Sequence, residues 1–189
     1  IHMAAGAIAM GAGDAFICAG VESMTRVPMG GYNPLPSPTL YDALPEAYIS
    51  MGETAENVAR QYQITRGAQD EFAVGSQNKA TAAMEAGRLD DEIVPISVSG
   101  GKVERDGCVR SDSTAKGLSS LKPAFDESGT VTAGTSSPLT DGAAATLVCS
   151  EEYGERTGLK PLARIKSIAV AGCAPEIMGV GPVHATRKA

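Results

Sequence analysis

Tryptophan is absent from the 189-residue sequence, and aromatic side chains amount to three Phe and five Tyr. Any core must therefore be filled by small and aliphatic residues. Positive charge is also scarce: 16 Lys and Arg stand against 22 Asp and Glu, a formal charge of −6. That balance removes the basic footprint needed for unspecific nucleic-acid binding. No apolar run approaches the ~18 residues of a membrane span. Histidine occurs twice, at His2 and His184, and the four cysteines show no C-x-x-C spacing, so no metal site is expected. Neither the phosphate-cradling G-x-x-x-x-G-K-[ST] nor a G-x-G-x-x-G after a strand is found. Gly11-Ala12-Gly13 precedes its candidate strand, which is the wrong order. The opening Ile1-His2-Met3-Ala4 lacks a basic n-region, so no signal peptide is expected there.

What is present is a globular composition, with 43% apolar and 20% charged residues. Cys18, Cys149 and Cys173 lie among small or apolar neighbours, as buried thiols do, which predicts a reducing, cytoplasmic setting. Residues 1–12 read as a helix without a start signal, so the chain is expected to begin inside an element. Residues 14–20 (DAFICAG) form a short continuous apolar run, predicting a strand buried on both faces in a parallel sheet. Five prolines keep residues 21–50 irregular.

Residues 52–63 predict a helix entered at Gly52, with Glu53 and Glu56 near its positive end. Thr65 is the expected cap of a longer helix closed by Gly87, in which Ala68, Phe72, Ala80, Ala83 and Met84 share a face. Strands are predicted at 92–98, 130–134 and 163–171, the apolar run 141–149 suits a strand or a helix with the strand favoured, and short helices are predicted at 151–158 and 182–189. The chain is expected to stop inside the last helix. The pattern is an α/β arrangement with a large Pro-rich and helical insertion between sheet-forming parts.

Few residues invite chemistry on their own. Cys173 and His184 are the nearest Cys–His pair, but a strand-end thiol and a helix-start imidazole need no catalytic explanation. Glu53/Glu56 and Asp90/Asp91/Glu92 read as a helix N-terminus and a solvated turn. Residues 123–145 are dense in small and hydroxyl side chains. Such a stretch lets a narrow ligand approach the backbone, or packs as a tight turn.

Several blocks, in order, carry a resemblance. Gly20-Val21-Glu22-Ser23-Met24-Thr25 is followed by Met51-Gly52-Glu53-Thr54-Ala55-Glu56-Asn57-Val58-Ala59. Arg66 to Phe72, Ser76-Gln77, residues 87–95 (GRLDDEIVP) and Leu121-Lys122-Pro123-Ala124-Phe125 come next. Gly129 to Gly134, Asp141-Gly142-Ala143-Ala144, Met178-Gly179 and Gly181-Pro182 complete the series. The sequence closely resembles the thiolase (acyl-CoA acetyltransferase) family over essentially its whole length.

The resemblance implies a thiolase-like layered αβαβα fold, incomplete, with an inserted loop domain. Residues 1–20 resemble part of the N-terminal half, 21–120 the loop domain, 121–150 the return to the N-terminal half, and 151–189 a truncated start of the C-terminal half. The implied activity is acyl transfer between CoA thioesters through an acyl-cysteine, as in fatty-acid metabolism including β-oxidation. Coenzyme A and acyl-CoA would be substrates rather than resident cofactors, and the full-length protein a homodimer or homotetramer without nucleic-acid or membrane partners.

The family's nucleophilic Cys motif, its two His segments and its second Cys segment are not in this sequence. The implied reading is a central fragment without catalytic residues, expected to be inactive alone; a thiolase-like CoA-binding or oligomerisation module is the alternative. The implied substrate-binding residues are Arg110 near the adenine and phosphates, Ala124 and Phe125 against pantetheine and adenine, and Ala133, Ser137 and Leu139 along the pantetheine tunnel. Met51 and Met178 resemble walls of the acyl pocket. The sequence departs from the family pattern at Ser50, where many short-chain members have His, at Gly117, where short-chain relatives carry Ser, and at Pro138, where Gly is common. The Ser137-Pro138-Leu139-Thr140-Asp141-Gly142 turn resembles variants from thiolases that accept longer chains.

Overall fold

The structure, a computed structural model, describes residues 1–189. The chain divides into two compact units, one of residues 1–38, 139–173 and 180–189, the other of residues 39–138 and 174–179.

The first unit holds helix α1 (His2–Ala9), which has no side-chain N-cap, as its sequence predicts. Strand β1 (Ala15–Ser23) pairs with a long partner, Asp141–Cys149, in antiparallel register from Ala15↔Cys149 to Ser23↔Asp141. A strand is therefore present at both expected places, but the parallel, doubly buried setting is not. The two strands form a ribbon of their own, and two strands cannot cover both faces. Ile17 and Val21 are accordingly exposed. At the ribbon's end Asp141 accepts the Thr25 N–H and the Thr25 hydroxyl. Ser150 caps the helix Glu151–Thr157, which ends on left-handed Gly158. Residues 163–171 alternate in polarity yet form no strand: alternation supplies a face, but a strand also needs a ladder partner. The last helix, Gly181–Lys188, has Pro182 in its first turn, as expected.

In the second unit a short helix α2 (Pro38–Ala43) and a 3-10 turn, Pro45–Tyr48, interrupt the Pro-rich stretch. Helix α3 (Met51–Gln61) starts one residue earlier than its sequence predicts. Ser50 is its N-cap in a reciprocal box with Glu53. Helix α4 (Arg66–Glu85) is capped by Thr65, as expected. Strands β2 (Ile96–Val98) and β3 (Gly101–Val103) form a small exposed hairpin. It is shorter than the predicted strand 92–98 because Pro95 cannot donate to a ladder. Helix α5 (Ala115–Ser119) follows, and the strand Asp141–Cys149 of the first unit is β4 in chain order. The strand expected at 130–134 is reduced to one bridge, Pro123↔Thr132, followed by a 3-10 turn at Ala133–Thr135.

Polar groups dominate the deepest positions of this unit. Thr54, Glu56, Asp70 and Thr132 are buried beside Ala59 and Val131. Each is satisfied. Arg66 reaches both Asp70 oxygens at 3.0 Å and donates to the Leu118 and Leu121 carbonyls at 2.6 and 3.0 Å, joining α4 to the α5 region. The cysteines are less buried than their neighbours suggest. Cys18 and Cys149 are half-buried and Cys173 is exposed, because the ribbon and the 163–173 segment lie open.

Candidate functional site

The second unit contains an apolar cavity of about 560 Å³. The α3 face contributes Met51, Ala55 and Val58, and α4 adds Ala68 and Phe72. These positions recur at three- and four-residue spacing, so one stripe of each helix lines the cavity. Val131 comes from the turn after Gly129, and Met178 from the 3-10 turn Pro175–Val180. The Asn57 amide fixes that turn by donating to the Glu176 carbonyl at 3.0 Å. Met51 and Met178, far apart in sequence, thus meet on one apolar surface.

A smaller, more polar cavity of about 290 Å³ lies on the other side of α3, lined by Glu53, Glu56, Asn57, Arg60, Phe125 and Asp126. The Phe125 ring lies so close to α3 that a Cβ at Gly52 would stand 2.1 Å from its Cδ1. Glycine at 52 is thus required by that close approach. Arg60 bridges Asp126 at 2.9 Å and Asn57 at 2.9 Å. The Ser128 hydroxyl and N–H, and then Arg60, hold the Asp126 carboxyl below the usual Asp value. The Ser50 hydroxyl and N–H do the same for Glu53. Ionised carboxylates at this rim favour neutral or cationic groups of a ligand over its phosphates.

The remaining positions named by resemblance are dispersed. Arg110 is exposed, with its backbone N–H on the Gln77 amide oxygen at 2.8 Å. Ala124 donates its N–H to the Val131 carbonyl at 2.9 Å, and so holds the hairpin that presents Phe125. Ala133 opens the 3-10 turn, and Ser137 is exposed beyond it. Leu139 belongs to the first unit and is exposed. No group of three or more His, Cys, Asp or Glu residues is arranged to hold a metal. No helix is long and apolar enough to cross a membrane.

The thiolase N-terminal domain family matches residues 1–152. The chain belongs to the thiolase family. It is 49% identical to a 3-ketoacyl-CoA thiolase of Marinobacter nauticus, covering 100% of this chain and 50% of that protein. An acetyl-CoA acetyltransferase of Rhizobium meliloti is 47% identical over 96% of this chain and 50% of its own length. The crystal structure of the dimeric peroxisomal thiolase of Saccharomyces cerevisiae superposes with a TM-score of 0.90 at 39% identity, over 97% of this chain and 48% of that one. The fold is therefore the α/β thiolase fold. The chain spans about half the length of the curated relatives it matches.

Within this thiolase chain, reasoning from sequence missed the residues that shape the cavity walls from behind. Phe72, expected only to share a face of α4 with Ala68, is an exposed wall of the larger cavity. Gly52 and Glu56 lie one turn apart on α3, and their spacing was a legible sign that both face the same neighbour. That neighbour, the 125–131 hairpin, was visible only in the structure.

Proposed function

We propose that the protein to which this chain belongs transfers an acyl group between CoA thioesters through an acyl-cysteine, and that these 189 residues supply part of its substrate-binding wall. The observation that carries the reading is the meeting of Met51 and Met178 on one apolar cavity within a chain of the thiolase family. An apolar wall of flexible thioether side chains suits an acyl chain of variable shape. Phe125 and Ala124 would pack against pantetheine and adenine, with Ala133 and Ser137 along the pantetheine. Arg110 would be the guanidinium for the phosphates. Leu139 enters by resemblance alone.

Coenzyme A and acyl-CoA are substrates in this reading, and no permanently bound cofactor is invoked. The whole protein is proposed to be a cytoplasmic homodimer or homotetramer. Support for assembly comes from the yeast relative, which is dimeric.

None of the family's Cys and His motifs occurs in the 189 residues, so the chain alone is expected to bind CoA without turnover. Acetoacetyl-CoA thiolysis by a sample shown by intact mass to contain only this chain checks that expectation. Turnover would overturn the assignment of catalysis to residues outside it. Failure to bind CoA in calorimetry would overturn the substrate-wall reading and leave an oligomerisation module.

A further inference from the structure

We propose that Glu56 is a positioning residue of the CoA-thioester site, whose buried carboxylate holds the 129–131 turn so that Phe125 and Val131 stand along the ligand's path. The inference rests on the CoA-binding reading given above. Glu56 follows Gly52 by one turn of α3 and is 1% exposed. Its Oε1 accepts the Thr130 N–H at 2.9 Å and the Val131 N–H at 2.7 Å. Its Oε2 accepts the Thr130 N–H at 3.0 Å and the Thr130 hydroxyl at 3.3 Å. A carboxylate taken out of water needs such donors, because burying it unpartnered is very costly. Here every donor belongs to one turn. Arg60, which lines the same cavity, donates to Asp126 and Asn57.

Two properties separate this arrangement from ordinary packing. Apolar side chains would join a helix to a loop at a lower desolvation cost, but they would leave the loop's direction loose. Paired N–H···O bonds fix direction as well as distance. The constraint also closes on itself. Glu56 holds the Val131 N–H, the Val131 carbonyl accepts the Ala124 N–H, and the next residue, Phe125, returns to α3 over Gly52. That ring of contacts sets Phe125 on the smaller cavity and Val131 on the larger one. Gly129 leaves room for it: a Cβ there would stand 2.3 Å from Glu56 Oε1.

Calorimetric titration of the full chain with CoA tests the proposal. Glu56→Ala removes both acceptors and is expected to weaken binding about tenfold. In Glu56→Gln the amide oxygen can keep the Oε1 bonds to Thr130 and Val131, but the NH2 that replaces Oε2 cannot accept the Thr130 N–H, so affinity should fall less than in Glu56→Ala, by about threefold. Should Glu56→Ala fail to fold, Gly129→Ala serves instead, since it keeps the carboxylate and displaces the turn; the same weakening is expected. Affinities are compared at a temperature where far-UV circular dichroism shows each variant folded. A clamp with a structural role only would lower the melting temperature and leave the affinity of the folded protein unchanged, and that result overturns the proposal. Loss of affinity in Glu56→Gln equal to that in Glu56→Ala also overturns it. A wild-type chain that does not bind CoA overturns the CoA-binding reading and this inference with it; normal wild-type binding with unaffected variants overturns this inference alone.

Discussion

Gly52 has no room for a methyl group. With the Phe125 ring 2.1 Å from where its Cβ would stand, Gly52→Ala must push the ring or the helix aside, at a cost of about 1–3 kcal/mol. Urea unfolding of the variant checks this, and a wild-type midpoint would refute the close packing. Asp141 offers a second test. Its carboxyl is held below the ordinary Asp value of 3.8 by the Thr25 hydroxyl and N–H, and further by Ser23 and Met24. A carboxyl whose pKa is lowered on folding adds stability above its unfolded value. That stability is lost as the pH falls from the unfolded value through the lower folded one. Wild type should therefore lose more stability than Asp141→Asn between pH 7 and about pH 3. Parallel acid-dependence curves for the two would show that the Thr25 bonds do not favour the ionised form.

At the scale of elements, local chemistry and long-range contact contribute differently. Helix α4 was legible to its first residue because Thr65 lies next to the N–H group it satisfies, whereas α3 was expected to enter at Gly52 and its Ser50–Glu53 box emerged only in the structure. Ser50→Ala should cost about 1 kcal/mol, read as a lower melting temperature. Arg66 acts across elements, tying α4 to the carbonyls of Leu118 and Leu121 while neutralising buried Asp70. Arg66→Ala strands that carboxylate and two carbonyls, and a loss of about 2–3 kcal/mol is expected. Faster hydrogen exchange around residues 118–121 would localise the effect; unchanged exchange there would contradict the joint. Residues 163–171 show the opposite situation. Their alternation was as clear as that of any strand, but pairing depends on a partner that nine residues cannot encode.

Over the whole molecule, apolar side chains stand open in both units, among them Ile17 and Val21 on the ribbon and Met51 and Phe72 on the cavity wall. The ribbon's outer backbone groups are also a template for further pairing. The 189-residue chain is therefore expected to self-associate. Sedimentation velocity at several concentrations checks this, and a concentration-independent monomer would count against it. Family membership and the principal helix boundaries were determined by the sequence itself, because ordered motifs and capping residues act on their immediate neighbours. The antiparallel pairing of β1 with β4 and the clamp of Glu56 on Thr130 and Val131 were decided only by the tertiary structure. Each joins residues distant in the chain, and such contacts exist only when the intervening segments fold back to make them.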